Sequence, residues 1–321
     1  MALFFPYYLS LPDSQRGVAM PSKTKQLAEN AVLLAIALIL LFVSLYTVLG
    51  VATGLLLPLP FVLLGMRRTV TNMIWIVSGF ALLGGVLTGP MTGFIALLSG
   101  LWGGAMGVMY AKRGTALSAI TAGAGVVFLG YVSFLALAAF VLHVDFQAVM
   151  REAAAYKPSF MTKEQFEQSV ALGRMVMPAF LVMLSYLQSG ITHGLARLIG
   201  KRLGYPVPAL KPVREWSFPR SLLYYYFAAL IGLFLIGQEP EGTFWSSAVL
   251  NVKVMLDGIF ALQGLAFCLF AIHLYGWKRL APALVVSLFI FPFLTTILSL
   301  LGIFDLGLQL RKKLETRVKR G

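Results

Sequence analysis

The stretch TALSAITAGAGVVFLGYVSFLALAAFVL, residues 115–142, decides the fold class of this chain. It contains no Asp, Glu, Lys or Arg, and it is longer than the roughly 20 apolar residues that an α-helix needs to cross the hydrocarbon core of a bilayer. A strand of a membrane barrel would instead alternate polar and apolar residues over about ten positions. The stretch therefore predicts a transmembrane helix.

Similar apolar runs lie on both sides of this stretch, separated by charges or by Pro/Gly clusters. They predict an all-α, polytopic transmembrane helical bundle of about eight or nine spans. The second run is the weakest candidate, because it is short and contains Gly54, Pro58 and Pro60, so a half-spanning or tilted helix fits it as well as a full crossing. The runs are residues 31–49, 51–65, 72–88, 92–110, 115–142, 173–198, 220–237, 246–275 and 280–302.

The composition agrees with a membrane protein and argues against several soluble classes. Hydrophobic residues make up 59% of the chain and charged residues 12%, against about 25% charged residues in a typical soluble domain. The net charge is +14, but the Lys and Arg residues form short clusters between apolar runs. We interpret them as topology signals and contacts to the lipid bilayer, and we expect no nucleic-acid partner.

Signatures of soluble enzymes are absent from the sequence. There is no GxxxxGK[ST], HExxH, CxxC or GxSxG motif, and no Asp-rich cluster that would hold magnesium at a lipid phosphate. The single cysteine, Cys268, allows neither an intrachain disulfide nor a cysteine metal cluster. We therefore expect a protein that is not an enzyme, with no catalytic residue, metal or cofactor.

The distribution of positive charge predicts the orientation. With the amino terminus in the cytosol of a bacterial cell, every basic cluster up to residue 220 falls inside, as expected for a multi-pass protein of the cytoplasmic membrane. These clusters are Lys23 and Lys25, Arg67 and Arg68, Lys112 and Arg113, and the basic residues of 197–220.

This charge pattern breaks near the end of the chain. One crossing after Lys278 and Arg279 would place the basic stretch RKKLETRVKR outside. Either Pro292 breaks the last run into a re-entrant pair, or one earlier span is miscounted.

The connecting segments predict the domain boundaries. Residues 1–24 form a cytosolic amino-terminal segment, in which residues 1–19 precede Met20 and fit a start-codon overcall. Residues 25–199 form a six-span membrane core, 200–219 a basic, Pro-rich cytosolic linker, 220–303 a carboxy-terminal transmembrane bundle and 304–321 a basic tail.

The longest polar stretch between spans, residues 143–172, lies outside in this topology. Thr162 and Gln165 have the spacing of a capping box that starts a helix running into the sixth span. A lid over a membrane cavity and a solvated amphipathic connector both remain open for it.

The sixth span carries a row of polar residues at spacings of three and four, so that they share one helix face. Polar groups in hydrocarbon are costly and usually face a partner or a cavity. This face, with three mid-membrane aromatic residues, is the candidate lining of a ligand cavity, although hydrogen bonding between helices is an equal alternative. The candidates are Trp102, Tyr131, Ser185, Tyr186, Gln188, Ser189, Thr192 and His193.

Two other patterns concern charge and packing inside the membrane. Lys253 and Asp257 are four residues apart, so they can form an intramembrane ion pair that is structural or that gates an ion or substrate. Small residues four apart in the fourth span, such as Gly100 with Gly104 and Gly103 with Gly107, favour close helix packing.

The carboxy-terminal third contains Trp216–Ser217–Phe218–Pro219 before a span and LGIFDLGLQLRKK, with Asp305 and Arg311, after the last one. With Lys278–Arg279 between spans and Pro292 in the last run, it resembles the YybS-like family of multi-pass membrane proteins in Firmicutes. The likeness covers most of the chain from about Lys25 onward.

Residues 25–199 also resemble the S components of energy-coupling factor vitamin transporters, which have six membrane helices. In that family, small residues four apart in the first helix contact the coupling subunit, so the resemblance implies a partner contact at Ala31 and Ala35. It also implies a coupling subunit and ABC ATPases as partners and a small-molecule solute as ligand.

These observations predict a solute-binding, transport-related membrane subunit. A second hypothesis is a non-transporting membrane scaffold or regulator, whose basic linker and tail recruit a cytosolic protein. A third hypothesis, a membrane enzyme acting on lipid, is weakened by the missing acidic cluster.

Overall fold

A computed structural model describes residues 23–146, 148–149, 152, 161–236 and 243–318. The described elements are helical, which confirms the predicted all-α bundle. Two compact units meet in sequence at Lys112 and Arg113, and each is treated separately below. The predicted amino-terminal segment 1–24 lies almost entirely outside the described residues, as do the loop with Glu239 and Glu241 and most of 147–160.

The first unit contains five helices around an apolar core. The Phe61 and Phe80 rings lie 4.9 Å apart at its centre, packed with Leu41, Met73 and Val77. The helices are α1 Lys23–Tyr46, α2 Gly50–Leu56, α3 Leu59–Gly65, α4 Val70–Thr88 and α5 Pro90–Arg113.

The second apolar run forms the two short helices α2 and α3 instead of one long helix. All residues of α3 are buried, and α5 lies directly against them. A Cβ added at Gly103 would overlap the carbonyl oxygen of Pro58, and one at Gly107 would overlap that of Val62. The glycines of the fourth span therefore serve close helix packing, as their spacing predicted.

Among the described residues of the second unit, seven further α-helices have defined bounds. The first four of these helices, α6 to α9, pack against one another: α6 contacts α7, and α9 contacts both α7 and α8. The helices are α6 Ala116–Phe140, α7 Lys163–Arg202, α8 Ser221–Ile236, α9 Phe244–Leu274, α10 Leu280–Ile290, α11 Leu294–Leu308 and α12 Leu310–Val318.

Helix α7 begins as the sequence predicted. The Thr162 side chain accepts a hydrogen bond from the Gln165 backbone, and the Gln165 side chain accepts one from the Thr162 backbone, which completes the capping box. The helix has 40 residues, about 60 Å at 1.5 Å per residue. It therefore extends well beyond the roughly 30 Å of hydrocarbon that the sixth span crosses.

Six described helices are long and apolar enough to cross a membrane, or seven spans result if α11 and α12 together count as one. Two other apolar runs form shorter helices, over 52–65 (within α2 and α3) and over 221–236 (α8). The last apolar run is interrupted between Ile290 and Leu294, around Pro292. The predicted count of eight or nine spans is higher because it included each of these runs as a potential crossing of the membrane. The predicted break at Pro292 is present.

Large apolar side chains face outward in both units. Val86 is 83% exposed in the first unit, and Phe234 is 79% exposed in the second. Water-soluble proteins rarely leave large contiguous apolar surfaces open, whereas a bilayer covers them. These surfaces support a multi-pass membrane protein.

Contacts between basic segments test the predicted topology within each unit. In the first unit, Arg68 donates to Asn30 at 3.0 Å and lies 3.6 Å from Glu29, which places the end of α3 beside the start of α1. In the second unit, Arg311 donates to the carbonyl oxygen of Arg214 at 3.2 Å. The start of the basic tail thus lies next to the basic linker, which agrees both with a re-entrant last run and with a miscounted earlier span.

Candidate functional site

The predicted polar face of α7 is buried within the second unit. Ser185, Ser189 and Thr192 have no exposed surface, and His193 is 4% exposed. The helices that contact α7 are α6 and α9. Ser185, Ser189, Thr192 and His193 therefore form one buried face, as their spacing predicted, whereas Gln188 of the same row is partly exposed.

Hydrogen bonds account for part of this face. The Ser185 hydroxyl donates to Leu181 O in its own helix at 2.7 Å, and the Tyr131 side chain of α6 lies close to that of Gln188. Within the described residues, Thr192 Oγ1 is buried without a partner. The face thus combines helix-packing contacts with one unused hydroxyl.

The three predicted aromatic residues occupy different environments. Tyr131 is half-buried and contacts Gln188. Tyr186 is 44% exposed and lies away from the buried row of α7, whereas Trp102 is buried in α5 of the first unit. The second unit therefore brings together one of its own two aromatic candidates with the polar face.

A second polar contact holds α7 against α9 at a proline. Pro178 has no N–H to donate within the helix, a defect that neighbouring helices often compensate in membranes. The Asn251 side chain accepts from Ala179 N at 2.7 Å and donates to Met175 O at 2.6 Å. In an uninterrupted helix Ala179 N donates to Met175 O, so the Asn251 amide contacts the donor and the acceptor of one helical hydrogen bond next to the proline.

The predicted ion pair lies further along α9. Lys253 Nζ is 2.6 Å from Asp257 Oδ2, and the two side chains are 29% and 30% exposed. The Tyr226 side chain of α8 lies close to Asp257 and packs edge-on against Phe260 at 5.2 Å between ring centroids. This open cluster, defined as Lys253, Asp257 and Tyr226, thus presents opposite charges and a hydroxyl group at a partly accessible position.

A third polar cluster joins α9 to the end of α11. Gln263 has no exposed surface, and Asp305 is 4% exposed. Gln263 Nε2 donates to Asp305 Oδ2 at 2.5 Å, and Arg311 Nε donates to the same oxygen at 2.9 Å. We call Gln263, Asp305 and Arg311 the sealed cluster.

Backbone groups and one aromatic ring complete the sealed cluster. Phe218 N donates to Gln263 Oε1 at 3.0 Å, and the Arg311 guanidinium lies 5.7 Å from the centroid of the Phe270 ring. Among the described residues, Arg311 Nη2 is buried without an acceptor. The cluster therefore ties linker, α9, α11 and α12 together and retains one unused donor.

The family model described as "Predicted membrane protein (DUF2232)" matches residues 33–306. The chain belongs to this family. A relative is the "Uncharacterized protein YybS" of Bacillus subtilis (strain 168), which is 28% identical over 316 residues that cover 91% of this chain and 99% of the relative. These matches confirm the resemblance to YybS-like membrane proteins. No solved structure matches the chain.

The residues that carried this resemblance converge in the structure. Phe218 of the WSFP segment, Asp305 and Arg311 all belong to the sealed cluster or contact it. We did not predict them as site residues, because they are far apart in sequence. The signal was present as an isolated Asp and a Gln inside apolar runs, where polar groups need a partner.

The predicted partner contact on α1 remains open to its surroundings. Ala31 and Ala35 are exposed, whereas Ala37 on the same helix is fully buried in the first core. No group of three His, Cys, Asp or Glu side chains that could hold a metal occurs in the described parts of the chain.

Proposed function

We propose that this DUF2232 protein is a transport-related membrane subunit that binds a small charged or zwitterionic solute at the open cluster. The supporting observation is the exposure of Lys253 and Asp257, each near 30%, whereas the other intramembrane polar groups of α7 and α9 described above are mostly sealed. A solute can reach the open cluster without separating packed helices.

The chemistry of the open cluster suits such a ligand. Ionisable side chains inside spans are costly and often mark ion or substrate pathways. Lys253 can pair with an anionic group of the solute, and Asp257 can pair with a cationic group. In the structure the two charges neutralise each other, and the Tyr226 side chain lies beside the carboxylate.

The proposed transport role includes partner subunits. By the resemblance to S components, exposed Ala31 and Ala35 of α1 are the proposed contact to a coupling subunit that works with ABC ATPases in the cytoplasmic membrane. The proposal assigns no catalytic residue and no cofactor to this chain.

A membrane scaffold or regulator is the second candidate function. The observation that favours it is the buried face of α7, where Ser185, Ser189 and Thr192 have no exposed surface. In this case the polar row serves packing alone, and the basic linker and tail act on other molecules.

The experiment is a thermal-stability screen of the full chain in nanodiscs against amino acids, small carboxylates and small amines. We expect at least one compound to raise the melting temperature, because a ligand that binds only the folded state stabilises it. Lys253→Gln and Asp257→Asn should each abolish that shift while the ligand-free melting temperature stays within a few degrees of the original.

A matched control is available in α7. Lys163 and Glu167 form an exposed pair with the same spacing, 3.9 Å apart, so Glu167→Gln removes a comparable charge from a solvated position. This variant should retain the ligand-induced shift. A compound whose shift survives in both α9 variants would place the binding site elsewhere, and no shift from any compound class would argue against solute binding.

A further inference from the structure

Helix α12 leaves the direction of the membrane helices abruptly. It is bent by 74° from α11, and the change of direction occurs at Gln309, which has φ 52 and ψ 47. α11 packs closely along the spanning helix α9, since a Cβ at Gly302 would overlap the carbonyl oxygen of Phe260. A helix that turns this sharply after a membrane-embedded helix is directed along the membrane surface.

The sealed cluster fixes the direction of α12. Arg311, in its first turn, donates to Asp305 at 2.9 Å and to Arg214 O at 3.2 Å. Because Asp305 belongs to α11 and Arg214 to the linker, these bonds hold α12 against both. Arg311 is therefore a positioning residue, and the other cations of α12 remain available.

The faces of α12 differ in polarity. Leu310 and Leu314 are four residues apart and half-buried, whereas Lys312, Lys313 and Arg317 are exposed. Short helices with an apolar face and a basic face bind at the boundary between headgroups and acyl chains. Each Lys or Arg near an anionic membrane surface adds to the attraction.

Aromatic residues independently mark this boundary near α12. Tyr275 and Trp277 are 44% and 60% exposed, stack at 5.5 Å between ring centroids and precede the exposed Lys278 and Arg279. Exposed Trp and Tyr beside basic residues are typical of the membrane–water interface. Phe270, whose ring lies 5.7 Å from the Arg311 guanidinium, is five residues or about 8 Å before Tyr275 along the helix axis.

We propose that α12 lies on the membrane surface and binds the headgroups of anionic phospholipids through Lys312, Lys313 and Arg317. The Arg311–Arg214 contact brings beside α12 the linker, which carries the exposed residues Lys211 and Arg220. The ligand is the anionic phosphate headgroup of the bilayer in which the protein resides.

The test uses the full chain with Cys268→Ala and a new cysteine in the exposed position of Thr316, labelled with an environment-sensitive fluorophore. The labelled protein is placed in nanodiscs of phosphatidylcholine alone or of phosphatidylcholine with phosphatidylglycerol. We expect a stronger blue shift and stronger protection from the uncharged quencher acrylamide with phosphatidylglycerol than without it, and both differences should decrease at high salt.

Two variants separate charge at this helix from charge in general. Lys312→Gln with Lys313→Gln should lose the lipid response. Because both side chains are exposed, we expect this variant to fold normally. Lys112→Gln with Arg113→Gln removes two exposed cations elsewhere and should keep it.

Three outcomes would overturn the proposal. Equal spectra in both lipids would exclude recognition of anionic headgroups, and an unchanged response in the Lys312/Lys313 variant would assign it to other residues. Protection that appears only when a cytosolic protein fraction is added would assign this surface to a protein partner instead.

Discussion

The open and sealed clusters contrast two uses of polar residues on one membrane helix. Lys253 and Asp257 pair within α9 and remain about 30% exposed. Gln263, also on α9, is fully buried and reaches Asp305 in α11 through a hydrogen bond across 42 residues of sequence. One cluster is local and accessible, and the other is long-range and enclosed.

This difference separates candidate function from architecture. A buried charge whose partner is removed leaves an uncompensated charge in a low-dielectric site, whereas a partly exposed pair loses much less when it is broken. The sealed cluster should therefore determine stability. The open cluster should affect ligand binding far more than stability.

The largest effect is expected when the sealed cluster loses its carboxylate. Asp305→Leu should destabilise the protein by about 3–5 kcal/mol, because the Arg311 guanidinium stays buried without its counter-charge. Thermal unfolding in nanodiscs measures the change. Asp305→Leu combined with Arg311→Met should recover a large part of the loss, and a comparable loss in Asp257→Leu would remove the distinction between the clusters.

A smaller effect is expected at the proline of α7. Asn251→Leu should cost about 1 kcal/mol, because the backbone groups of Ala179 and Met175 lose their amide partner but can partly bond to each other. The cost should shrink when Pro178→Ala is also present, since the helix then supplies its own hydrogen bonds. Thermal unfolding of the two single variants and the double variant measures this coupling, and strict additivity would show that Asn251 does not compensate for the proline.

A still smaller effect is expected on the buried face of α7. Gln188→Leu and His193→Leu should each shift the melting temperature by only a few degrees, because hydrogen bonds between membrane helices contribute about 0.6 kcal/mol on average. If this face packs helices only, the shift caused by a stabilising solute should persist in both variants. Loss of that shift would move the binding site from the open cluster to α7.

The smallest effect on folding is expected at the exposed alanines of α1. Ala31→Leu with Ala35→Leu should leave the melting temperature unchanged, since both residues face away from the core, but should abolish co-purification of a membrane partner. Ala37→Leu on the same helix is the control, because overpacking this fully buried site should destabilise the protein. A partner that still co-purifies with the double variant would contradict the S-component analogy.

Much of the fold could be predicted because hydrophobic length and local spacing carry the signal. The long apolar runs, the capping box at Thr162 and the close packing of Gly103 and Gly107 each depend on neighbouring residues in sequence. The spacing of Ser185, Ser189 and Thr192 likewise predicted one shared face of α7, and the structure adds that this face is buried.

The sealed cluster could not be predicted in the same way. Arg311 and Arg214 are 97 residues apart, and no periodic pattern connects them with Gln263. The contact depends on how α11 crosses α9, which the geometry of Gly302 against Phe260 permits. The clasp of Asn251 on α7 was missed for the same reason, since it joins residues 72 apart.

The sealed cluster also has a consequence for the order of biogenesis. Gln263 enters the membrane with α9 before α11 has been synthesised, so its amide has neither Asp305 nor the closing Arg311 while translation continues. During that interval the half-built second unit presents an unmet polar group to lipid, to the insertion machinery and to membrane proteases. A chain that ends before Asp305 therefore leaves Gln263 Nε2 without its carboxylate partner, whereas Gln263 Oε1 can still accept from Phe218 N.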